Sequence, residues 1–280
     1  MEVVTAVEQL LFSTVRIETQ TTIGAQGTGT GFVFSYKLDQ NRQVPFLVTN
    51  KHVVAGAQNG RLIMTLAQDG KPLLGDRYTL DVDNFENIWY GHPKDVIDVT
   101  VTPFLPLIEP AQQNSKQVFF RSIPNDVIPT AEVVKSLDAL EDIIFIGYPN
   151  GIWDQKNLLP IIRQGVTATP IAIDFQGEEQ FLVDAAVFPG SSGSPVFLFN
   201  KGMYYDKVKN ATVIGQRVLF LGIVASVYFR QDVNEIKIVS VPIVDIPVAV
   251  SRQMINLGVV FKASTIVETI LAFLKDKTII

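Results

Sequence analysis

One short turn in the sequence has the residue types that a serine nucleophile needs. It reads PGSSGSP over residues 189–195, and apolar segments precede and follow it. Glycine adopts positive φ without strain, so Gly190 and Gly193 permit a tight turn around Ser192. Such a turn can direct the N–H groups of Gly190 and Ser192 toward one point, as an oxyanion hole requires. The same composition also occurs in hairpin loops, and Ser191 is a second hydroxyl, but the glycine spacing favours Ser192.

A serine of this kind needs a base, which is most often a histidine oriented by a carboxylate. The chain has only two histidines. His52 ends an apolar, strand-like segment, where a side chain can be held rigidly at the rim of a β core. His92 precedes a proline in a polar, turn-like stretch, which is typical of a solvated side chain. We therefore predict His52 as the base.

The orienting carboxylate is expected within a strand. Asp98 begins the β-branched segment DVTV, where an acid is costly unless it is paired or hydrogen-bonded. Asp95 is the alternative, but it lies closer to the loop and suits a solvated acid at an edge. The sequence predicts Asp98 as the partner of His52.

Together these motifs resemble the trypsin-like serine peptidases, and most closely their HtrA-type bacterial branch. His52 lies in TNKHVV, Asp98 in DVTV and Ser192 in GSSGSP. The order His, Asp, Ser is that of the chymotrypsin-type enzymes and differs from those of subtilisin and the α/β-hydrolases. Weaker similarities are GTGTGFV at residues 27–33, IFIGYPNG at 144–151 and DAA at 184–186. The resemblance covers roughly residues 10–230.

The resemblance implies an all-β fold of two packed six-stranded antiparallel β-barrels, with a short N-terminal helix and a C-terminal helix. The expected divisions are an N-terminal barrel with His52 and Asp98 (1–110), a linker (111–130), a C-terminal barrel with Ser192 (131–258) and the helix (259–280). Short apolar segments punctuated by Gly, Asn and Asp independently favour antiparallel β structure.

Local patterns predict the individual elements. Apolar residues at helical spacing indicate helices over residues 4–11 and 263–275, and residues 51–57 suit a short helical turn. Four prolines in residues 104–130 indicate the connection between the barrels. The predicted strands are 13–18, 31–35, 45–49, 61–66, 78–82, 99–103, 142–147, 161–168, 171–175, 180–186, 196–199, 211–227 and 235–241.

The resemblance also assigns roles around the turn. Ser192 would attack the scissile carbonyl, His52 would take its proton, and Asp98 would hold the imidazole. The N–H groups of Gly190 and Ser192 would form the oxyanion hole. The walls of the specificity pocket would be Phe188, Ala225, Ser226 and Val227. No acid is expected there and Val227 would narrow the pocket, so we expect cleavage after small or medium apolar residues.

The sequence departs from the family pattern in places. Ser194 replaces the second glycine after the nucleophile. Ser191 stands where digestive enzymes have an aspartate that pairs with a newly cut N-terminus, so we expect no N-terminal processing. We also expect no PDZ-type peptide-binding domain after the protease. A catalytically inactive scaffold used for binding, and an ester or acyl hydrolase with the same triad, stay open as alternatives to a peptidase.

Composition excludes several other classes of function. The net charge is −5 with no lysine- or arginine-rich block, so no nucleic-acid partner is expected. The absence of cysteine excludes disulfides and thiol nucleophiles, and two histidines without a carboxylate cluster argue against a metal. No phosphate-binding motif indicates a cofactor. We expect no membrane segment and no secretory signal, hence a cytoplasmic enzyme whose partner is a protein or peptide substrate. The oligomeric state is left open.

Overall fold

The computed structural model describes the backbone of residues 1–235 and 248–279, and the side chains of residues 1–227 and 255–279. The predicted strand at 235–241 lies, apart from its first residue, outside the described part. The helices are α1 (Ala6–Leu11), α2 (Lys51–Val54), α3 (Leu105–Gln113), α4 (Ala131–Ser136) and α5 (Ala263–Asp276). The predicted helices at both ends are therefore confirmed. Among the residues described, no helix is both long and apolar enough to cross a membrane.

The N-terminal half forms one open sheet, which corrects the prediction of a closed six-stranded barrel. Its nine strands follow the order β5-β4-β1-β2-β3-β7-β6, while β8 pairs with β4 and β9 pairs with β2. They are β1 (Thr14–Thr21), β2 (Gln26–Lys37), β3 (Gln43–Thr49), β4 (Ala57–Gln68), β5 (Lys71–Asp83), β6 (Tyr90–Gly91), β7 (Thr100–Pro103), β8 (Gln117–Val118) and β9 (Ile123–Pro124). All pairs are antiparallel except β2 with β9.

The open edge has a physical cause in the length of its last strand. Closing a barrel requires the two outer strands to form a ladder of hydrogen bonds. Here β6 contains two residues, Tyr90 and Gly91, and the chain then leaves the sheet as the loop that carries Asp98. Too little edge is left to pair with β5, so the sheet stays open.

The C-terminal half does close, as predicted. Its barrel has the order β10-β11-β12-β17-β16-β13, and β14 pairs with β15 as a separate hairpin. The strands are β10 (Asp142–Gly147), β11 (Ile161–Thr167), β12 (Gln180–Asp184), β13 (Pro195–Asn200), β14 (Met203–Asp206), β15 (Ala211–Ile214), β16 (Arg217–Glu235) and β17 (Val248–Lys262). Since β17 continues through Lys262, α5 begins only at Ala263.

Two of the predicted strands were wrong in detail. Residues 171–175 form turns, because the N–H of Ile173 bonds back to the carbonyl of Pro170 and the Ile173 side chain is exposed. The segment 211–227 is divided between β15 and β16. Gly215 ends the hairpin by donating to the Gly202 carbonyl. Before this point β15 pairs with β14, and after it β16 pairs with β13 and β17.

The connection between the halves is more ordered than its prolines indicate. It contains α3, in which Pro106 lies in the first turn, where a missing N–H costs nothing. The sheet and the barrel share one core that includes Phe32 and Phe46 of the sheet, Phe197 and Phe220 of the barrel, and Ile270 of α5. This joint core fixes the position of one half against the other, and the turn at 189–195 lies beside β2.

Candidate active site

His52 lies in α2, one turn of helix that follows β3. Asn50 precedes the helix, and its Nδ2 donates to the backbone carbonyl of Asp98 at 2.6 Å. The His52 side chain is 50% exposed, so the ring is accessible from solvent. The short helix therefore holds the imidazole against the loop between β6 and β7.

Asp98 contacts His52 with both carboxylate oxygens. Oδ1 accepts the His52 backbone N–H at 3.0 Å, and Oδ2 lies 2.5 Å from the ring Nδ1. An ionised carboxylate only accepts hydrogen bonds, so Nδ1 carries the proton and Nε2 presents a lone pair. This is the tautomer that a general base needs. Asp95, the alternative carboxylate, lies exposed in the same loop.

His92 is buried, which corrects the interpretation of a solvated side chain. Its side chain is 2% exposed, and its Nε2 lies 3.4 Å from Glu268 Oε2 on α5. Its Nδ1 accepts the N–H of Lys94 at 3.0 Å. The sequence signal was misleading because α5, far away in the chain, covers the turn. His92 is not among the residues that line the cleft with Ser192.

Ser192 lines the same cleft as His52 and Asp98. Its Oγ lies 3.2 Å from the carbonyl oxygen of Ala225 and donates a hydrogen bond to it. Among the described residues, no hydrogen bond joins this hydroxyl to His52. The structure thus brings the three predicted residues to one cleft, with the serine hydroxyl turned toward β16.

The turn around Ser192 needs its glycines. Gly190 and Gly193 have φ values of +84° and +86°. A Cβ on Gly193 would lie 1.8 Å from the Thr30 carbonyl oxygen, and one on Gly190 would lie 2.6 Å from the Tyr148 carbonyl oxygen. Both contacts are with backbone atoms that cannot move aside, so a side chain at either position would displace the turn.

The two backbone N–H groups predicted to bind an oxyanion are those of Gly190 and Ser192. In the part of the chain that is described, neither the Gly190 N–H nor the Ser192 N–H donates to a protein acceptor. The Pro189 carbonyl accepts the N–H of Asn150 at 2.5 Å. Because C=O and N–H point in opposite directions across a trans peptide, the Gly190 N–H points away from Asn150.

The predicted pocket residues Phe188, Ala225, Ser226 and Val227 all line this cleft. Val187 and Pro189 line it as well, and Asp98 is the one carboxylate among the described residues of its lining. The Arg163 guanidinium lies 4.7 Å from the ring centre of Phe188, a cation–π contact that fixes the ring from outside the cleft. The sequence did not indicate this contact because Arg163 lies on a different strand, β11.

Behind the turn, Arg16 and Tyr148 form a buried cluster that the sequence did not reveal. Arg16 Nη1 donates to the Gly151 carbonyl at 2.6 Å, and the guanidinium lies 5.1 Å from the Trp153 ring. Burial raises the pKa of Tyr148 to about 12, so the phenol is neutral under ordinary conditions. The cluster supports the loop that contacts Pro189.

Comparison with known proteins gives one family match. Residues 29–203, more than half of the chain, match the sequence profile of the family described as trypsin-like peptidase domain. The matched segment includes His52, Asp98 and Ser192. No curated protein matches the chain.

Several solved structures are similar over most of the chain. The Rv3671c protease from M. tuberculosis, in its active form, is 17% identical and has a TM-score of 0.46, with 95% of this chain and 82% of that chain covered. The scabies mite inactivated protease paralogue S-I1 is 15% identical with a TM-score of 0.47, and 95% and 96% are covered. A catalytically inactive tobacco etch virus protease complexed with substrate is 12% identical with a TM-score of 0.44, and 80% and 76% are covered.

Proposed function

Because the chain belongs to the family of trypsin-like peptidase domains, we propose that it is a serine endopeptidase that cleaves protein or peptide substrates. Ser192 is the nucleophile, His52 the general base and Asp98 the residue that orients the base. The observation that carries this proposal is the double contact of Asp98 with His52 in the cleft that Ser192 also lines. We also propose that, within the family, the chain is most similar to the HtrA-type bacterial branch, because its motifs resemble those of that branch.

The first chemical step requires the serine hydroxyl to turn toward His52. In the resting arrangement it donates to the Ala225 carbonyl. Rotation about χ1 to another staggered position redirects it, at the cost of one hydrogen bond worth about 1 kcal/mol. The oxygen then bonds to the scissile carbonyl carbon while its proton passes to Nε2 of His52.

The acyl-enzyme forms when the tetrahedral intermediate collapses. The C–N bond breaks, and the amine leaves with the proton from His52. A water molecule then attacks the ester and gives a proton to His52; as the ester C–O bond breaks, His52 passes that proton to Ser192 Oγ, and the acid is released. The N–H groups of Gly190 and Ser192 stabilise the oxyanion both when the acyl-enzyme forms and when water cleaves it. Loss of one such donor lowers the rate by a factor of about 10²–10³.

The lining of the cleft supports a preference for small or medium apolar residues before the cleaved bond. Phe188 and Val227 contribute apolar surface, Ala225 a backbone carbonyl and Ser226 a small polar group. Among the described residues that line this part of the cleft there is no carboxylate, so none of them offers an ion-pair partner to arginine or lysine. Val227 narrows the space, so large aromatic residues are disfavoured.

Labelling with a fluorophosphonate probe tests the proposal directly. The probe reacts with an activated serine, so the wild-type protein should be labelled and Ser192→Ala should not. Ser191→Ala is the matched control, because Ser191 is buried beside Ser192 and should not affect labelling. Cleavage of a peptide library by the wild type, lost in Ser192→Ala, would extend the result from a reactive serine to a peptidase.

A catalytically inactive scaffold used for binding is the second candidate, and one observation favours it. The Ser192 hydroxyl bonds to Ala225 rather than to His52, as it would in a site that never engages its base. Absence of labelling in a folded wild-type protein would support this candidate and refute the peptidase.

A further inference from the structure

Thr30 on β2 joins the N-terminal sheet to the nucleophile turn on both sides of Ser192. The side chain is completely buried. Its Oγ1 donates to the Gly190 carbonyl at 3.0 Å, and its backbone N–H donates to the Ser192 carbonyl at 3.0 Å. A single residue of the first sheet therefore fixes two peptide groups of a turn in the second half.

The same hydroxyl also holds the loop behind the turn. Oγ1 accepts the Tyr148 N–H at 3.1 Å, and two residues later the Asn150 N–H donates to the Pro189 carbonyl. A hydroxyl has one proton to donate and lone pairs to accept with, so donation to Gly190 and acceptance from Tyr148 are compatible. Thr30 Oγ1 thus adds a second connection between the loop and the turn, beside the direct bond from Asn150 to Pro189.

Within the turn, Ser194 Oγ also donates to Thr30 Oγ1, at 3.5 Å, and so adds to the same contact. Ser191 Oγ only accepts the Phe188 N–H at 3.4 Å, which is a contact within the turn. Packing around Thr30 is tight, since a Cβ on Gly147 would lie 2.6 Å from Oγ1. If the hydroxyl were removed, bulk water could not reach this position to replace it.

We propose that Thr30 is a positioning residue for the oxyanion hole, acting through hydrogen bonds to Gly190 and Tyr148. The inference rests on the proposed function, because it assigns a role in the same reaction. Loss of the hydroxyl frees the Gly190 carbonyl. It also loosens the loop that begins at Tyr148, whose Asn150 N–H fixes the Pro189 carbonyl and therefore the peptide that carries the Gly190 N–H. The Gly190 N–H then no longer points at the place where the oxyanion develops. Binding of the substrate ground state does not depend on that N–H.

The experiment compares Thr30→Val with Thr30→Ser. Valine has nearly the shape of threonine but removes the hydrogen bonds of Oγ1 with Gly190, Tyr148 and Ser194, whereas serine retains the hydroxyl. Thr167→Val is the matched control. Thr167 is also buried, donates to one carbonyl (Ala139) at 3.0 Å and accepts one backbone N–H (Glu141) at 2.9 Å. It lies at the end of β11 and is not part of the cleft lining.

The measurements are kcat and KM on a peptide substrate, the rate of fluorophosphonate labelling, and thermal unfolding of each variant. We expect Thr30→Val to lose at least about tenfold in kcat and in labelling rate, with KM within about twofold of wild type. Thr30→Ser should recover most of both rates. Thr167→Val should lose stability like Thr30→Val yet retain the wild-type kcat and labelling rate.

The possible outcomes separate this inference from the proposed function. If the wild type is active and Thr30→Val matches it in kcat, or if Thr167→Val loses activity equally, the positioning role is wrong while the peptidase stands. If the folded wild type neither labels nor cleaves, both proposals fail. Should Thr30→Val not fold, Thr30→Ala takes its place, with the same expected loss of kcat at constant KM.

Discussion

The contact between Asp98 and His52 makes a sharp prediction for the variant Asp98→Asn. Asparagine has nearly the same size, but one oxygen becomes an NH2 group that only donates. The amide oxygen would take the position of Oδ1, which accepts the His52 backbone N–H at 3.0 Å, and would keep that hydrogen bond. The NH2 group would then face Nδ1 and force it to act as an acceptor.

The consequence is a histidine with the wrong tautomer. The ring proton moves to Nε2, which is the atom that must accept the proton of Ser192. Substitution of this kind in a Ser-His-Asp triad lowers kcat about 10⁴-fold, and we expect a loss of about 10³–10⁴ here, equivalent to about 4–5 kcal/mol in the activation free energy. KM should change little, since we expect Asp98 to act through His52 and not on the substrate.

Steady-state hydrolysis of a peptide substrate and the rate of fluorophosphonate labelling measure this loss. Asp95→Asn is the control, since Asp95 is an exposed acid of the same loop and its replacement should leave both rates unchanged. A loss below about tenfold in folded Asp98→Asn would refute the role of Asp98 as the orienting carboxylate.

Three further predictions concern the pocket, the turn and the core. Val227→Gly should widen the cleft and shift cleavage toward larger apolar residues, as measured with a peptide library; an unchanged preference would show that Val227 does not limit the pocket. Gly193→Ala should abolish labelling and destabilise the fold by at least about 2 kcal/mol in urea unfolding, because its Cβ would meet the Thr30 carbonyl at 1.8 Å. Phe220→Ala should cost about 3–5 kcal/mol of unfolding free energy, since its buried ring packs 5.5 Å from the ring of Phe32; a cost below about 1 kcal/mol would contradict this packing.

Much of the fold could be predicted from local patterns. The strands β10, β12 and β13, the N-terminal helix and α5 each follow from apolar spacing and turn residues that are close in sequence. The family could be identified as well, because the types and order of His52, Asp98 and Ser192 are chemically distinctive. These signals depend only on residues within one short segment or on the order of three such segments.

Closure of the barrels could not be predicted in the same way. Whether a sheet closes depends on the length and direction of its two outer strands, which are set by contacts outside the strands themselves. In the first half, β6 ends after Gly91, and the chain leaves the sheet in the loop whose Asp98 contacts His52. In the second half, the long strands β16 and β17 provide enough edge for the barrel to close.

The sequence alone determined which side chains can do chemistry, since a serine, a histidine and an aspartate carry their reactivity wherever they lie. Tertiary structure alone decided which groups hold them in place. Thr30 bonds to Gly190 across 160 positions of the chain and to Tyr148 across 118, and α5 buries His92 against Glu268 across 176. Hydrogen bonds of this kind leave no local pattern, because each partner is an ordinary residue until folding brings the two together.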